Sequence, residues 1–183
     1  SSERNRGSML AVERKRATIL NADVAGYARM MAEDALSTID SLLDCVQRLC
    51  ALVRLYGGRV IDTTGDNLSA EFRDENAALQ CALEMQLELL HRNVGRSPAK
   101  RMRFRIGLHC GEVLGVGERV FGDVVNVAAR LQSSADPDAV VVSDALAERT
   151  DPALLKGGVE RGAQHFKHIP YALRSLSLLA QAG

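Results

Sequence analysis

The sequence has no tryptophan, and aromatic residues make up only 4% of it. The stacking platforms on which single-stranded nucleic acids lay their bases are therefore not built into it. It has no net charge either. Its 23 Lys and Arg balance its 23 Asp and Glu, so no long-range field favours nucleic acid or an anionic membrane, and any polyanion must be held by local geometry. No apolar run reaches the roughly 18 residues that a bilayer crossing takes, and no signal peptide stands out. Cys45, Cys50, Cys81 and Cys110 form no CxxC pair, and no histidine cluster joins them at zinc-ligand spacing. They read as buried, reduced thiols of a cytoplasmic protein. Internal repeats, low-complexity stretches and any linker to a second domain are missing too.

What is present suits one domain. A chain of 183 residues, 46% hydrophobic and 25% charged, can enclose a full core. The leading Ser1 to Met9 reads as an expression remnant, with the domain proper over 10–183. A short apolar strand, Arg16 to Asn21, runs into Ala22-Asp23-Val24-Ala25-Gly26-Tyr27. From about Leu36 to Tyr56, Ile39, Leu42, Leu43, Val46, Leu49, Cys50 and Val53 recur at helical spacing, and Gly57-Gly58 stops the helix. Arg59–Asp62 and Asp66–Phe72 flank a tight Thr63-Thr64-Gly65 turn, a hairpin with one buried face. A second helix is expected over 77–90. A strand over 103–110 is expected to turn back at Gly111-Glu112 into Val113–Val116. A helix over 122–132, a strand over 140–143, a short helix over 144–149 and two closing strands near 159–166 and 171–178 complete the reading. The order implies an α+β sandwich, with helices packed on a mainly antiparallel sheet.

Two carboxylates end up where strands end. Asp23 follows the first strand, and Asp66 sits at the tip of the hairpin. If those strands are neighbours, both side chains converge at one edge, where they would bind one or two hard divalent cations that carry phosphates with them. The alternative is that each Asp merely caps a turn, where Asp is favoured anyway.

Four segments decide between these. Ala22-Asp23-Val24-Ala25-Gly26-Tyr27 and Asp62-Thr63-Thr64-Gly65-Asp66 resemble the two metal-binding motifs of class III adenylyl and guanylyl cyclases. Phe104 to Val113 resembles the central strand of that family, and Phe121-Gly122-Asp123-Val124-Val125-Asn126-Val127-Ala128-Ala129-Arg130-Leu131 its transition-state helix. The likeness runs from about 14 to 178. It implies a ferredoxin-like cyclase fold and two Mg²⁺ or Mn²⁺ ions held by Asp23, Asp66 and the Val24 carbonyl. It further implies that Asn126 orients the ribose, Arg130 stabilises charge on the α-phosphate and Lys167 binds the triphosphate. The substrate is then a nucleoside triphosphate, and the active sites are shared across a head-to-tail homodimer, metals on one subunit and Asn126 and Arg130 on the other.

The chain departs from the family at two positions. Where adenylyl cyclases read adenine with a Lys and an Asp, this sequence has Asp62 and Arg119, both charges inverted. An ionised carboxylate only accepts and a guanidinium only donates, which suits the imide edge of uracil or guanine rather than adenine. Arg119 is also longer than the Asp it replaces, which is expected to narrow the pocket towards a pyrimidine. UTP leads on this reading, with a resemblance to the pyrimidine cyclases of bacterial anti-phage defence and a separately encoded effector. The alternatives are a purine cyclase in general signalling, and an inactive pseudocyclase in which Asp62 and Arg119 pair and fill the pocket.

Overall fold

The computed structural model describes residues 11–181; the expected remnant at 1–9 lies outside the described residues. The chain runs as β1 (Val12–Val24), α1 (Tyr27–Glu33), α2 (Ala35–Leu55), β2 (Arg59–Asp62), β3 (Leu68–Phe72), α3 (Glu75–Asn93), β4 (Phe104–Val116), β5 (Arg119–Phe121), α4 (Asp123–Ser134), β6 (Ala139–Ser143), α5 (Asp144–Ala147), β7 (Val159–Gln164) and β8 (Leu173–Leu179). The sheet order is β2-β3-β1-β4-β6-β8-β7, with β5 folded back on β4. All pairs are antiparallel except β4 with β6. This is the α+β architecture the sequence implies.

Side chains alternate across β1 and β4, so each strand serves two layers. Leu20, Ala22 and Val24 join Phe104, Ile106 and Leu108 in one core, which α2 closes with Leu42, Cys45, Leu49 and Val53 and α3 with Leu79, Cys81, Met85 and Leu89. On the opposite face Ala17, Ile19 and Val113 receive Val124 and Ala128 of α4. Local chemistry sets the helix starts. Asp34 accepts the Ser37 N–H at 3.1 Å to cap α2, and Asp74 accepts from Asn76 to cap α3. Gly57, at φ 77°, lets the chain leave α2 in the left-handed conformation. All four cysteines are buried and free. Burial pushes the Cys45 thiol up to about 11 and the Cys81 thiol up to about 12, which keeps both unreactive. No helix among the described residues is long and apolar enough to cross a membrane.

Two expectations need correction. There is no reversal at Gly111-Glu112: β4 continues through it and pairs with β1 from Val24↔Phe104 to Val12↔Val116. The glycine is there for packing, because a Cβ at Gly111 would come within 2.8 Å of the Val124 side chain on α4. The first strand is also longer than its apolar stretch, since β1 takes in the charged run from Glu13 to Arg16 and extends to Val24. Asp23 therefore lies inside the strand, one residue from its end.

Candidate active site

β1 and β3 are neighbours in antiparallel register that ends at Ala22↔Leu68. The β2–β3 turn consequently sits beside the end of β1, with Gly65 at φ 61° making the bend. Asp66 Oδ2 accepts the backbone N–H of Val24 at 3.2 Å. Asp66 thus reaches the peptide that follows Asp23, so the two residues that the sequence singled out lie at the same end of the sheet. Asp23 has a second partner. Arg105, its cross-strand neighbour on β4, donates Nε at 2.9 Å and Nη2 at 2.8 Å to its two oxygens, a bidentate charge-assisted pair. Arg105 Nη1 donates at 3.0 Å to the Ser133 carbonyl near the end of α4. In sequence Arg105 is one more residue of an alternating strand, and only the register places it opposite Asp23.

These residues fit divalent cations. Carboxylate and carbonyl oxygens are the hard donors Mg²⁺ and Mn²⁺ prefer. No cluster of three or more His, Cys, Asp or Glu that could hold a metal occurs among the described residues, so two carboxylates form a partial set that phosphate oxygens would complete. Both Asp23 oxygens are held by the Arg105 guanidinium, which a metal cation at Asp23 would have to displace.

Asn126 and Arg130 lie one turn apart on α4, Asn126 exposed and Arg130 half-buried. Neither makes a side-chain hydrogen bond or ion pair among the described residues. Lys167 is exposed in the segment between β7 and β8. That segment is docked on α4: Phe166 and Ile169 pack against Val127 and Leu131, and the Tyr171 hydroxyl donates to Asp123 in the first turn of α4.

The two inverted positions do not meet. Asp62, at the end of β2, accepts from Thr64 Oγ1 at 2.6 Å and from Asn67 Nδ2 at 3.0 Å. The Thr64 bond foremost, aided by Asn67 and opposed by partial burial, holds the carboxyl below its usual range, so it stays ionised. Arg119 is exposed at the start of β5, its guanidinium 4.8 Å from the centre of the Phe121 ring. No ion pair joins Asp62 and Arg119 among the described residues, and within one chain the pairing expected of a blocked pocket is not made.

The model of the adenylate and guanylate cyclase catalytic domain matches residues 10–163. The chain belongs to this family. An adenylate/guanylate cyclase/hydrolase from Silicibacter pomeroyi has the same class III cyclase fold, with a TM-score of 0.82 and 34% identity over 93% of this chain and 99% of that one. The adenylyl cyclase CyaB from P. aeruginosa, at 21% identity and a TM-score of 0.76 over 94% of this chain and 98% of that one, supports the fold alone. An adenylate cyclase of Streptomyces coelicolor is 31% identical over 128 residues, 69% of this chain and 32% of its own length. A Rhizobium meliloti relative is 34% identical over 153 residues, 81% of this chain and 26% of that protein. The cyclase domain thus spans about a quarter to a third of these curated relatives. The finer likeness to pyrimidine cyclases of phage defence draws no support from these relatives. Lys167 lies beyond the matched residues.

Proposed function

We propose that this domain cyclises a purine nucleoside triphosphate, GTP ahead of ATP, to the 3′,5′-cyclic mononucleotide and pyrophosphate, at sites shared by two head-to-tail copies. The observation that carries the reading is the hydrogen bond from the Val24 peptide, next in the chain to Asp23, to the Asp66 carboxylate. Two divalent cations held by Asp23, Asp66 and the Val24 carbonyl would activate the ribose 3′-hydroxyl and offset charge on the phosphates. The new bond joins O3′ to the α-phosphorus, and the bond to pyrophosphate breaks. Arg105, once exchanged from Asp23, presents its planar fork beside the triphosphate, where it matches phosphate oxygens. Arg130 stabilises the charge growing on the α-phosphate, Asn126 orients the ribose and Lys167 meets the outer phosphates. That Asn126 and Arg130 find no side-chain partner among the described residues is what residues completing a neighbour's site require.

The base choice rests on Asp62, held ionised as an acceptor, and Arg119, a donor. Together they suit the imide edge of guanine. Arg119 lies exposed across Phe121, so its length does not by itself narrow the pocket, and a purine is not excluded on size. The relatives named as adenylate and guanylate cyclases favour a purine as well. The second reading is UTP, with cyclic UMP as a defence signal for a separate effector in the cytoplasm. It is carried by the same charge inversion, because uracil has the same edge.

Incubation with each of the four ribonucleoside triphosphates and Mn²⁺, followed by mass spectrometry, tests this. Cyclic GMP as main product is expected. Cyclic UMP as main product selects the second reading, ATP turned over as fast as GTP and UTP removes the imide argument, and no product from any nucleotide leaves the pseudocyclase. Asp66→Ala and Arg130→Ala chains, each inactive alone, should regain activity on mixing if the sites are shared; no recovery after demonstrated subunit exchange places each site within one chain.

A further inference from the structure

Behind Asp62 a single row of side chains crosses four strands. In the sheet register Asp62 lies opposite Ser69, Ser69 opposite Asn21, and Asn21 opposite Gly107. The row is polar throughout until it reaches the glycine, and there α4 takes over. A Cβ at Gly107 would sit 2.3 Å from the backbone nitrogen of Gln132 and 2.6 Å from the Ala128 carbonyl. The missing side chain is what lets the helix descend far enough for Gln132 to reach the row.

The hydrogen bonds along it are continuous, donated outward from Asn67 in both directions. Asn21 Nδ2 donates to Gln132 Oε1 at 3.0 Å. Ser69 Oγ donates to Asn21 Oδ1 at 2.6 Å. Asn67 Nδ2 donates to Ser69 Oγ at 3.2 Å and to Asp62 Oδ2 at 3.0 Å. The chain ends on the Asp62 carboxylate at one side and on the Gln132 amide at the other, whose Oε1 accepts while its Nε2 has no partner among the described residues and the residue is 3% exposed. A buried amide left half satisfied costs stability, and the one bond it makes is to the buried Asn21. Linked hydrogen bonds polarise one another and fix their members' rotamers. Here the member they fix is the carboxylate at the base-reading position.

We propose that Asn67, Ser69, Asn21 and Gln132 are positioning residues for base choice, a hydrogen-bonded strut that runs from α4 across the sheet and aims the Asp62 carboxylate at the nucleobase. The proposal rests on the reading of Asp62 as a base acceptor. A carboxylate has room for about four hydrogen bonds, so Thr64 and Asn67 can orient Asp62 and still leave lone pairs for an imide N–H. A strut of fixed length makes that acceptor preorganised, so that a base offering an acceptor in its place meets a group unable to turn away. It also makes α4, which carries Asn126 and Arg130, the anchor of the base contact.

The test compares kcat/KM for the better imide substrate, GTP or UTP, with that for ATP. Ser69→Ala cuts the strut in the middle and should lower the ratio about threefold to tenfold, what one net hydrogen bond is worth. Ser69→Thr, which keeps the hydroxyl on a strand, should restore it, and Gln132→Met should lower it from the far end without touching β3. The half-saturating Mn²⁺ concentration should not move in any of them. Asp62→Ala separates the two ways of failing. If Asp62→Ala leaves the ratio unchanged, the base-reading assignment is wrong and the strut falls with it. If Asp62→Ala lowers the ratio while Ser69→Ala and Gln132→Met do not, only the strut is overturned. A rise in the Mn²⁺ requirement at an unchanged base ratio also overturns it, because the row would then brace the Asp66 turn instead.

Discussion

On one face of the sheet Leu20, Ala22, Phe104, Ile106 and Leu108 are shut away from solvent under α2 and α3. On the other face their immediate chain neighbours Asn21, Asp23, Arg105 and Gly107 meet α4 or lie at the open end of the strands, and His109 is hydrogen-bonded to Ser143 at the end of β6. Backbone, register and strand twist are common to both sets. Only the side of the pleat differs. The helix-covered face is closed by two long helices and has no polar side chain among the core residues of β1 or β4 besides Thr18. The α4 face is covered by one shorter helix that leaves the Asp23 end uncovered. Burial energy is concentrated on the first face, and polar chemistry is placed on the second, where groups can be ionised without full desolvation.

Substitutions on each face separate folding from chemistry. The largest effect should come from Asp66→Ala at the open end: activity falls more than about a thousandfold, some 4 kcal/mol of barrier, while the thermal midpoint stays within about 2 °C because a half-exposed turn residue contributes little to folding. Steady-state assay and calorimetry on the same sample check both halves. Leu108→Ala on the closed face should do the reverse, destabilising by about 2–5 kcal/mol in a denaturant titration with unchanged turnover per folded molecule. If Leu108→Ala lowers turnover as much as stability, the two faces are not separable in this way.

Gly107→Ala should affect both properties, because the new methyl meets the α4 backbone at Gln132. Overpacking against main chain costs roughly 1–3 kcal/mol, and lifting α4 also displaces Asn126 and Arg130, so urea midpoint and kcat should fall together. The smallest effect is a pH dependence. His109, hydrogen-bonded through Nδ1 to Ser143 Oγ at 2.6 Å, is held below the ordinary histidine value chiefly by burial. The nearby Asp123 charge opposes this and Arg16 reinforces it. The unfolded chain therefore takes up a proton that the folded one resists, and stability falls as pH drops below about 6.5. His109→Gln should show a smaller loss of thermal midpoint between about pH 7 and about pH 5.5 than the parent; an equal loss would assign the dependence to other groups.

How much of this was legible beforehand depended on distance along the chain. The α+β class, α2, α3, α4 and the β2–β3 hairpin follow from periodicities and turn residues within about twenty positions of one another, whereas Asp23 and Asp66 stood out through short motifs that resemble those of the cyclase family. The turn expected at Gly111-Glu112 failed because a glycine before a polar residue looks the same whether it bends a strand or admits a helix, and Val124, thirteen positions on, decides which. Arg105 was unremarkable until register set it opposite Asp23, 82 positions away in sequence. Arg119 read as a long side chain filling a pocket, and the fold laid it instead over Phe121, two residues along its own strand.

The amino-acid sequence by itself determined the layered class of this protein, its family and the kinds of atoms available for chemistry, because hydrophobic period, capping residues and short motifs are local properties of the chain. Tertiary structure alone decided which of those atoms meet. Pairing of β1 with β3 and β4 brought Asp66 to the Val24 peptide and Asp23 to Arg105, and the seating of α4 on Gly107 joined Gln132 to Asn21, Ser69 and Asp62. These contacts are fixed by strand register and helix approach, to which every residue of the paired strands contributes a little and no short segment contributes enough.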